Sequence, residues 1–160
     1  KCAGNKIDAA IADYIKKTFN LAIGARTAEE VKIKIGAAVP FEEELRVTIK
    51  GRDFIQGLPR SAQVGTNEIV KAIDGELKQI IKAIKTVLAD TPPELASDII
   101  DHGIIMTGGS SQLRNLADLV YRKTGVKASL AEDSLYCVAK GTGIVLEHLD
   151  MYKKTVLSKK

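Results

Sequence analysis

Two glycines, Gly108 and Gly109, stand between an apolar stretch, Ile104-Ile105-Met106, and a hydroxyl pair, Ser110-Ser111. The order reads as a short buried strand that turns directly into a helix. Glycine has no Cβ, so the backbone can approach a ligand closely there, and a helix N-terminus carries partial positive charge. Those properties suit a nucleotide. The same junction also serves as a plain connector in α/β domains, so on its own it leaves both readings open.

Glu29 and Lys32 are three residues apart, which puts them on one helix face. A carboxylate accepts hydrogen bonds from ribose hydroxyls, while a lysine stem can cover a flat base as its ammonium meets polar groups. The glycine turn would then admit the adenine or the α-phosphate edge. The alternative is a solvated Glu29–Lys32 ion pair, a common surface feature.

Other reactive residues form no catalytic set. His102 and His148 match no metal-ligand spacing; His102 reads as a helix C-terminal residue meeting the dipole, and His148 as a surface residue of the last helix. Cys137 beside Val138 reads as core filling, and Asp98 and Asp101 as surface carboxylates one turn apart. Cys2 and Cys137 fit no zinc pattern, and reduced thiols are expected rather than a disulfide. No phosphate loop ending in Lys-Ser/Thr is present.

The elements that must position these groups follow from periodicity. Asn5 is placed to cap a helix carrying Ile7, Ile11, Tyr14, Ile15 and Phe19, and Asn20 to Gly24 break it. Thr27-Ala-Glu-Glu30 reads as a capping box opening a short helix with Ala28, Val31 and Ile35 inward and Gly36 at its exit. Leu45, Val47 and Ile49 alternate with polar residues as in a half-buried strand. Gly51-Arg52 suits a hairpin turn, with further short strands at Phe54-Ile55 and Ala62 to Val64 around Gly57 and Pro59.

A long helix then starts at Gly65 or Thr66, with an apolar stripe from Ile69 to Leu88. Gly75 inside it suggests a close contact. Thr91-Pro-Pro93 ends it and opens a helix from Glu94 to Ile100. A strand at Ile104 to Met106, a helix from Ser110 to Lys123, a strand near Val126 to Ser129 and a helix from Ser134 to Leu149 complete the alternation. The fold class is α/β, with an antiparallel patch near residues 42–64. That argues for two closely packed lobes, a smaller one inserted in a larger.

The 160 residues, 45% hydrophobic, can bury a core, and no apolar run nears the ~20 residues of a membrane span. The N-terminus shows no signal-peptide pattern. The net charge of +4 comes from Lys153, Lys154, Lys159 and Lys160; the other 20 basic residues match the 20 acidic ones. A neutral body without tryptophan excludes a nucleic-acid face of the usual kind, and the lysine tail reads as a solvated end.

Several blocks in order resemble the MreB family of bacterial actin homologues, in its C-terminal half. They are Ala3-Gly-Asn-Lys-Ile-Asp8, Arg26-Thr-Ala-Glu-Glu-Val-Lys-Ile-Lys-Ile-Gly36 and Gly51-Arg-Asp-Phe-Ile-Gln-Gly-Leu-Pro59. They continue through Thr91-Pro-Pro-Glu-Leu-Ala96, Gly103-Ile-Ile-Met-Thr-Gly-Gly109, Ala131-Glu-Asp-Ser-Leu-Tyr-Cys-Val-Ala139 and Gly141-Thr-Gly143. The resemblance implies an actin-like ATPase fold, of which this chain holds the second large domain. Residues 1–19 and 74–150 would form its inner α/β lobe, 20–73 a small α+β outer lobe, and 151–160 a lysine-rich tail.

By the same resemblance, Glu29, Glu30, Val31 and Lys32 meet the ribose and adenine, and Gly108, Gly109, Ser110 and Ser111 form the opposite wall. The family usually has Gly-Gly-Gly-Ala where this chain has Gly-Gly-Ser-Ser, so Ser110 adds a side chain to the turn. The implied cofactor is ATP or ADP, with Mg in the full-length parent. Both phosphate loops would lie upstream of Lys1, so the chain alone is not expected to hydrolyse ATP.

The resemblance further implies a cytoplasmic filament at the inner face of the cell membrane, organising cell-wall synthesis and rod shape. Its partners would be other subunits and morphogenesis proteins, with membrane elements outside this chain and no nucleic acid. Two other classes remain open from sequence: a chaperone-type ATPase of the same superfamily, and an interaction module alone.

Overall fold

A computed structural model describes residues 4–157. Helix α1 (Gly4–Phe19) buries Ile7, Ile11 and Ile15, one residue per turn along a single stripe. It packs on α2 (Ala25–Ile35), which turns Ala28, Val31 and Ile35 inward, and on α3 (Thr66–Ala89), which contributes Ile69, Ile73, Leu77 and Ile81. A three-stranded antiparallel sheet lies against them: β1 (Leu21–Ala22), β2 (Arg46–Asp53) and β3 (Pro59–Gly65), in the order β1-β2-β3. Leu21, Ile49 and Val64 bring the sheet into the same apolar cluster, which extends to Leu116. Burying each of these Ile, Leu and Val side chains is worth roughly 1.5–3 kcal/mol.

Beyond α3 the chain forms α4 (Pro93–His102), β4 (Ile104–Met106), α5 (Leu116–Thr124) and β5 (Ala128–Leu130), then α6 (Cys137–Glu147) and α7 (Leu149–Leu157). β4 and β5 pair in parallel, Ile105 opposite Ser129, with α5 as the crossover. His102 ends α4, and its Nδ1 lies 3.0 Å from the Asp98 carbonyl, the helix-end role expected of it. No helix of the described residues is long and apolar enough to cross a membrane.

α1 already includes Asn5, so that residue lies inside the first turn rather than ahead of the helix. α2 starts at Ala25 with extended Gly24 as its cap and no side-chain cap bond, which leaves Thr27 within the helix. The chain leaves β1 at Ala22 and enters the helix as soon as Ala25 and Arg26, good helix formers, allow it. A capping carboxylate sits instead at α3, where the Gly65 N–H donates to Glu68 Oε2 at 2.9 Å. Glu44 Oε1 accepts from the Asn67 N–H at 3.0 Å.

Gly51-Arg52 makes no turn: both lie in β2, paired with Arg60 and Pro59. Glycine is required because a Cβ at Gly51 would come 2.4 Å from the Ala22 carbonyl oxygen of β1. The turn falls at Phe54-Ile55, expected as strand, because Asp53 Oδ1 accepts the N–H groups of Ile55 and Gln56. Asp53 Oδ2 also takes Arg60 Nη1 at 2.7 Å. Together these hold the Asp53 carboxyl below its usual range, the Gln56 N–H contributing most, then Arg60, then Ile55.

A Cβ added at Gly75 would meet nothing within 4 Å, so no close contact explains that glycine. β4 is not fully buried, since Ile105 is 70% exposed. The expected helix from Ser110 is a single 3-10 turn (Gly109–Gln112), and α5 begins only after Asn115 adopts a left-handed φ of 57°. The expected Ser134–Leu149 helix begins later, as α6, and breaks at His148, so α7 takes in much of what was read as tail. Cys137 is half-buried at the start of α6 rather than core; Cys2, Lys159 and Lys160 lie outside the described residues.

Candidate functional site

A cavity of about 140 Å³ opens between the C-terminal half of α2, the start of α1 and the 3-10 turn after β4. It is lined by Ile7, Lys32, Ile33, Gly36, Gly109, Ser110, Gln112, Leu113 and Arg114. Small-molecule sites usually enclose roughly 300–1,000 Å³, so this cavity alone would take only part of a ligand. Three of the eight residues singled out from sequence, Lys32, Gly109 and Ser110, meet here.

The α2 wall is set by the helix register. Burying Ala28, Val31 and Ile35 in the core aims Lys32 and Ile33 along the next face, and Gly36 ends the helix with its N–H on the Lys32 carbonyl at 2.9 Å. A Cβ at Gly36 would meet that carbonyl oxygen at 2.2 Å and Leu113 Cδ1 at 3.0 Å, so only glycine closes the helix this tightly. Lys32 Nζ lies 2.8 Å from Asp8 Oδ1 on α1, with both side chains largely buried. Among the described residues no ion pair joins Glu29 to Lys32.

The opposite wall is held by the segment after β5. The Gly108 N–H donates to the Ser134 carbonyl at 2.7 Å, and Gln112 Nε2 donates to Ser134 Oγ at 3.0 Å. Gly108 takes φ 86° and ψ 164°, a region open essentially to glycine alone. A Cβ at Gly109 would press on Leu135 Cδ2 at 3.1 Å. Gly109 and Ser110 thus turn toward α2, with Ser110 Oγ 3.1 Å from the position a Gly4 Cβ would take.

The other five residues sit apart from the cavity lining. Val31 is core, 2% exposed. Glu30 pairs with Arg26 Nε at 3.4 Å and borders a separate cleft with Thr48 and Lys50. Glu29 is exposed on α2. Gly108 commits its N–H to Ser134, and Ser111 is buried with its hydroxyl donating to the Gly108 carbonyl, so both shape the turn from behind. The charge of a long helix does not stand behind this turn, because the 3-10 segment has four residues.

Ile7, Ile33, Gly36, Gln112, Leu113 and Arg114 carry no local signal that marks them as site residues. Arg114 joins the two walls: its Nη1 donates to the Lys34 carbonyl at 2.7 Å, and its own carbonyl accepts the Ala38 N–H at 2.8 Å. The lining combines apolar faces from Ile7, Ile33 and Leu113 with a hydroxyl and a lysine stem. That donor set suits a flat heteroaromatic ring with a polar edge. Among the described residues no group of three or more His, Cys, Asp or Glu could hold a metal ion.

Comparison with known proteins identifies the family and the fold. The family described as MreB/Mbl protein matches residues 1–154. The chain is 43% identical over 157 residues to the cell shape-determining protein Mbl of Bacillus cereus, covering 98% of the chain and 47% of the relative. The crystal structure of MreB 5 of Spiroplasma citri bound to AMPPNP superposes with a TM-score of 0.90 at 36% identity, over 98% of this chain and 47% of that one. The same protein bound to ADP gives 0.89 at 36%, over 99% and 47%. The chain spans about half the length of the curated relatives it matches.

Proposed function

Because the chain belongs to the MreB/Mbl family, whose fold is actin-like, we propose that it forms the adenosine-binding face of an ATP-binding cell-shape filament protein. The supporting observation is the cavity that brings Lys32 of α2 opposite Gly109 and Ser110. The residues present fit a nucleoside. Ile7, Ile33 and Leu113 offer apolar faces to a base, and Gly36 and Gly109 leave the backbone bare where it must come close. The AMPPNP and ADP carried by the Spiroplasma relative support the same class of ligand.

In this reading ATP or ADP binds with its base between α2 and the glycine turn. Glu29, Glu30, Val31 and Lys32 belong to one side, and Gly108 to Ser111 to the other. Magnesium, phosphate contacts and hydrolysis belong to the whole protein. That protein assembles through self-contacts into cytoplasmic filaments at the inner face of the membrane, where it organises cell-wall synthesis and rod shape with morphogenesis proteins. Residues 20–73 form its outer lobe, carried on an inner lobe of 1–19 and 74–150.

The test is a titration of ADP into the complete protein and its Lys32→Ala variant, followed by calorimetry. Losing the packing of the lysine stem against the base, about 1–2 kcal/mol, predicts a roughly five- to thirtyfold weaker affinity. Equal affinities would sink the assignment of this cavity.

A further inference from the structure

Asp8, near the start of α1, reaches the same place as Lys32. The two side chains keep 13% and 14% of their exposure, and Lys32 Nζ stands 2.8 Å from Asp8 Oδ1. That oxygen is buried and has no hydrogen-bond donor aligned on it: the ammonium meets the distance of an ion pair but not the angle of a hydrogen bond. A carboxylate oxygen removed from water needs a compensating charge, so Asp8 depends on Lys32 rather than on solvent. Gly4 keeps the space open, since a Cβ there would lie 3.5 Å from Lys32 Nζ and 3.1 Å from Ser110 Oγ.

The ammonium is therefore held on the α1 side of the cavity, while Lys32 shares the α2 wall with Ile33 and Gly36. From this placement we infer that Asp8 is a positioning residue of the nucleotide pocket. It pins and neutralises the Lys32 ammonium, so that the cavity offers a fixed lysine stem to an uncharged nucleoside instead of a mobile cation to a phosphate. The inference rests on the adenosine reading above. Asp8 acts through Lys32 and need not touch the ligand.

The experiment titrates adenosine into the complete protein as wild type, Asp8→Asn, Lys32→Met and the double variant, and follows the 15N-lysine ammonium resonances. Asp8→Asn should weaken adenosine roughly tenfold when Lys32 is present, the size of a usual coupling between contacting charged groups, and less than about twofold in the Lys32→Met background. The Lys32 ammonium signal, protected in the wild type, should vanish in Asp8→Asn. Equal losses in both backgrounds would overturn the inference, because Asp8 would then act through something else.

Should Asp8→Asn not fold, Asp8→Glu carries the test, since it keeps the charge but moves the carboxylate by one methylene. A several-fold loss of affinity at wild-type melting temperature supports positioning. Wild-type affinity with a displaced ammonium signal overturns it. Failure of the wild type itself to bind adenosine would instead remove the pocket assignment, and the role of Asp8 with it.

Discussion

Two glycine-to-alanine changes should move stability in opposite directions. At Gly36, an added Cβ would stand 2.2 Å from the Lys32 carbonyl oxygen and 3.0 Å from Leu113 Cδ1. Backbone cannot yield as a flexible side chain does, so relief requires moving residue 36 and giving up its 2.9 Å bond to that carbonyl. Overpacking of about 1–3 kcal/mol and a lost hydrogen bond of about 1 kcal/mol together cost about 2–4 kcal/mol. At Gly75, inside α3, an added Cβ meets nothing within 4 Å. Alanine there should stabilise the helix by about 0.5–1 kcal/mol.

For a chain of this size each kcal/mol shifts the melting temperature by roughly 2–4 °C. Gly36→Ala should therefore lower it by about 5–15 °C, and Gly75→Ala should raise it by about 1–4 °C. Thermal unfolding by circular dichroism, repeated in urea to check that the transitions coincide, reads both. Shifts of the same sign, or a Gly36→Ala protein as stable as the wild type, would refute the steric account of the α2 terminus.

Two further outcomes are expected. The folded-state pKa of Asp53 lies below its unfolded value, so its contribution is complete above the ordinary carboxylate range near about 3.9 and is lost as pH falls through the lowered folded value. Asp53→Asn should thus be less stable than the wild type at neutral pH, with the gap closing on acidification; a gap constant with pH in denaturant titrations contradicts this. Glu29→Ala should weaken nucleotide binding by the complete protein without unfolding it, and by less than Lys32→Ala, because Glu29 lies outside the cavity lining. Indistinguishable wild-type and Glu29→Ala affinities in calorimetric titrations remove its assigned role.

The long-range order of elements was legible in sequence because it rests on simple periods. Ile7, Ile11 and Ile15 recur at helical spacing, as do Ile69, Ile73 and Leu77, and all six are buried. Turn chemistry was less legible. Gly51 looks like a turn residue, yet it serves the close passage of Ala22, a contact invisible in its neighbours; the turn belongs to the carboxylate of Asp53. Thr27 had the right spacing for a cap, but the good helix formers Ala25 and Arg26 start the helix two residues earlier, with Gly24 as its cap.

At the candidate cavity, Lys32, Gly109 and Ser110 stand out in the sequence because residue type and spacing mark them. Asp8, Gln112 and Arg114 could not, since what matters about each is a partner far along the chain. Asp8 meets Lys32, Gln112 meets Ser134, and Arg114 meets Lys34. No local pattern encodes those meetings.

The Arg114 contact has a bearing on how a functional molecule comes to exist. It joins residues 80 positions apart, so the cavity closes only when segments distant in sequence have found each other. Local helices form early and distant pairings late, because the chain must first surrender loop entropy. A chain can therefore possess α2 and the glycine turn while still lacking a pocket between them. On the proposed adenosine reading, a nucleotide would then bind finished molecules only. A ligand held there at a hundred times its dissociation constant would add about 2.7 kcal/mol to their stability, so occupancy would mark molecules whose two walls have joined.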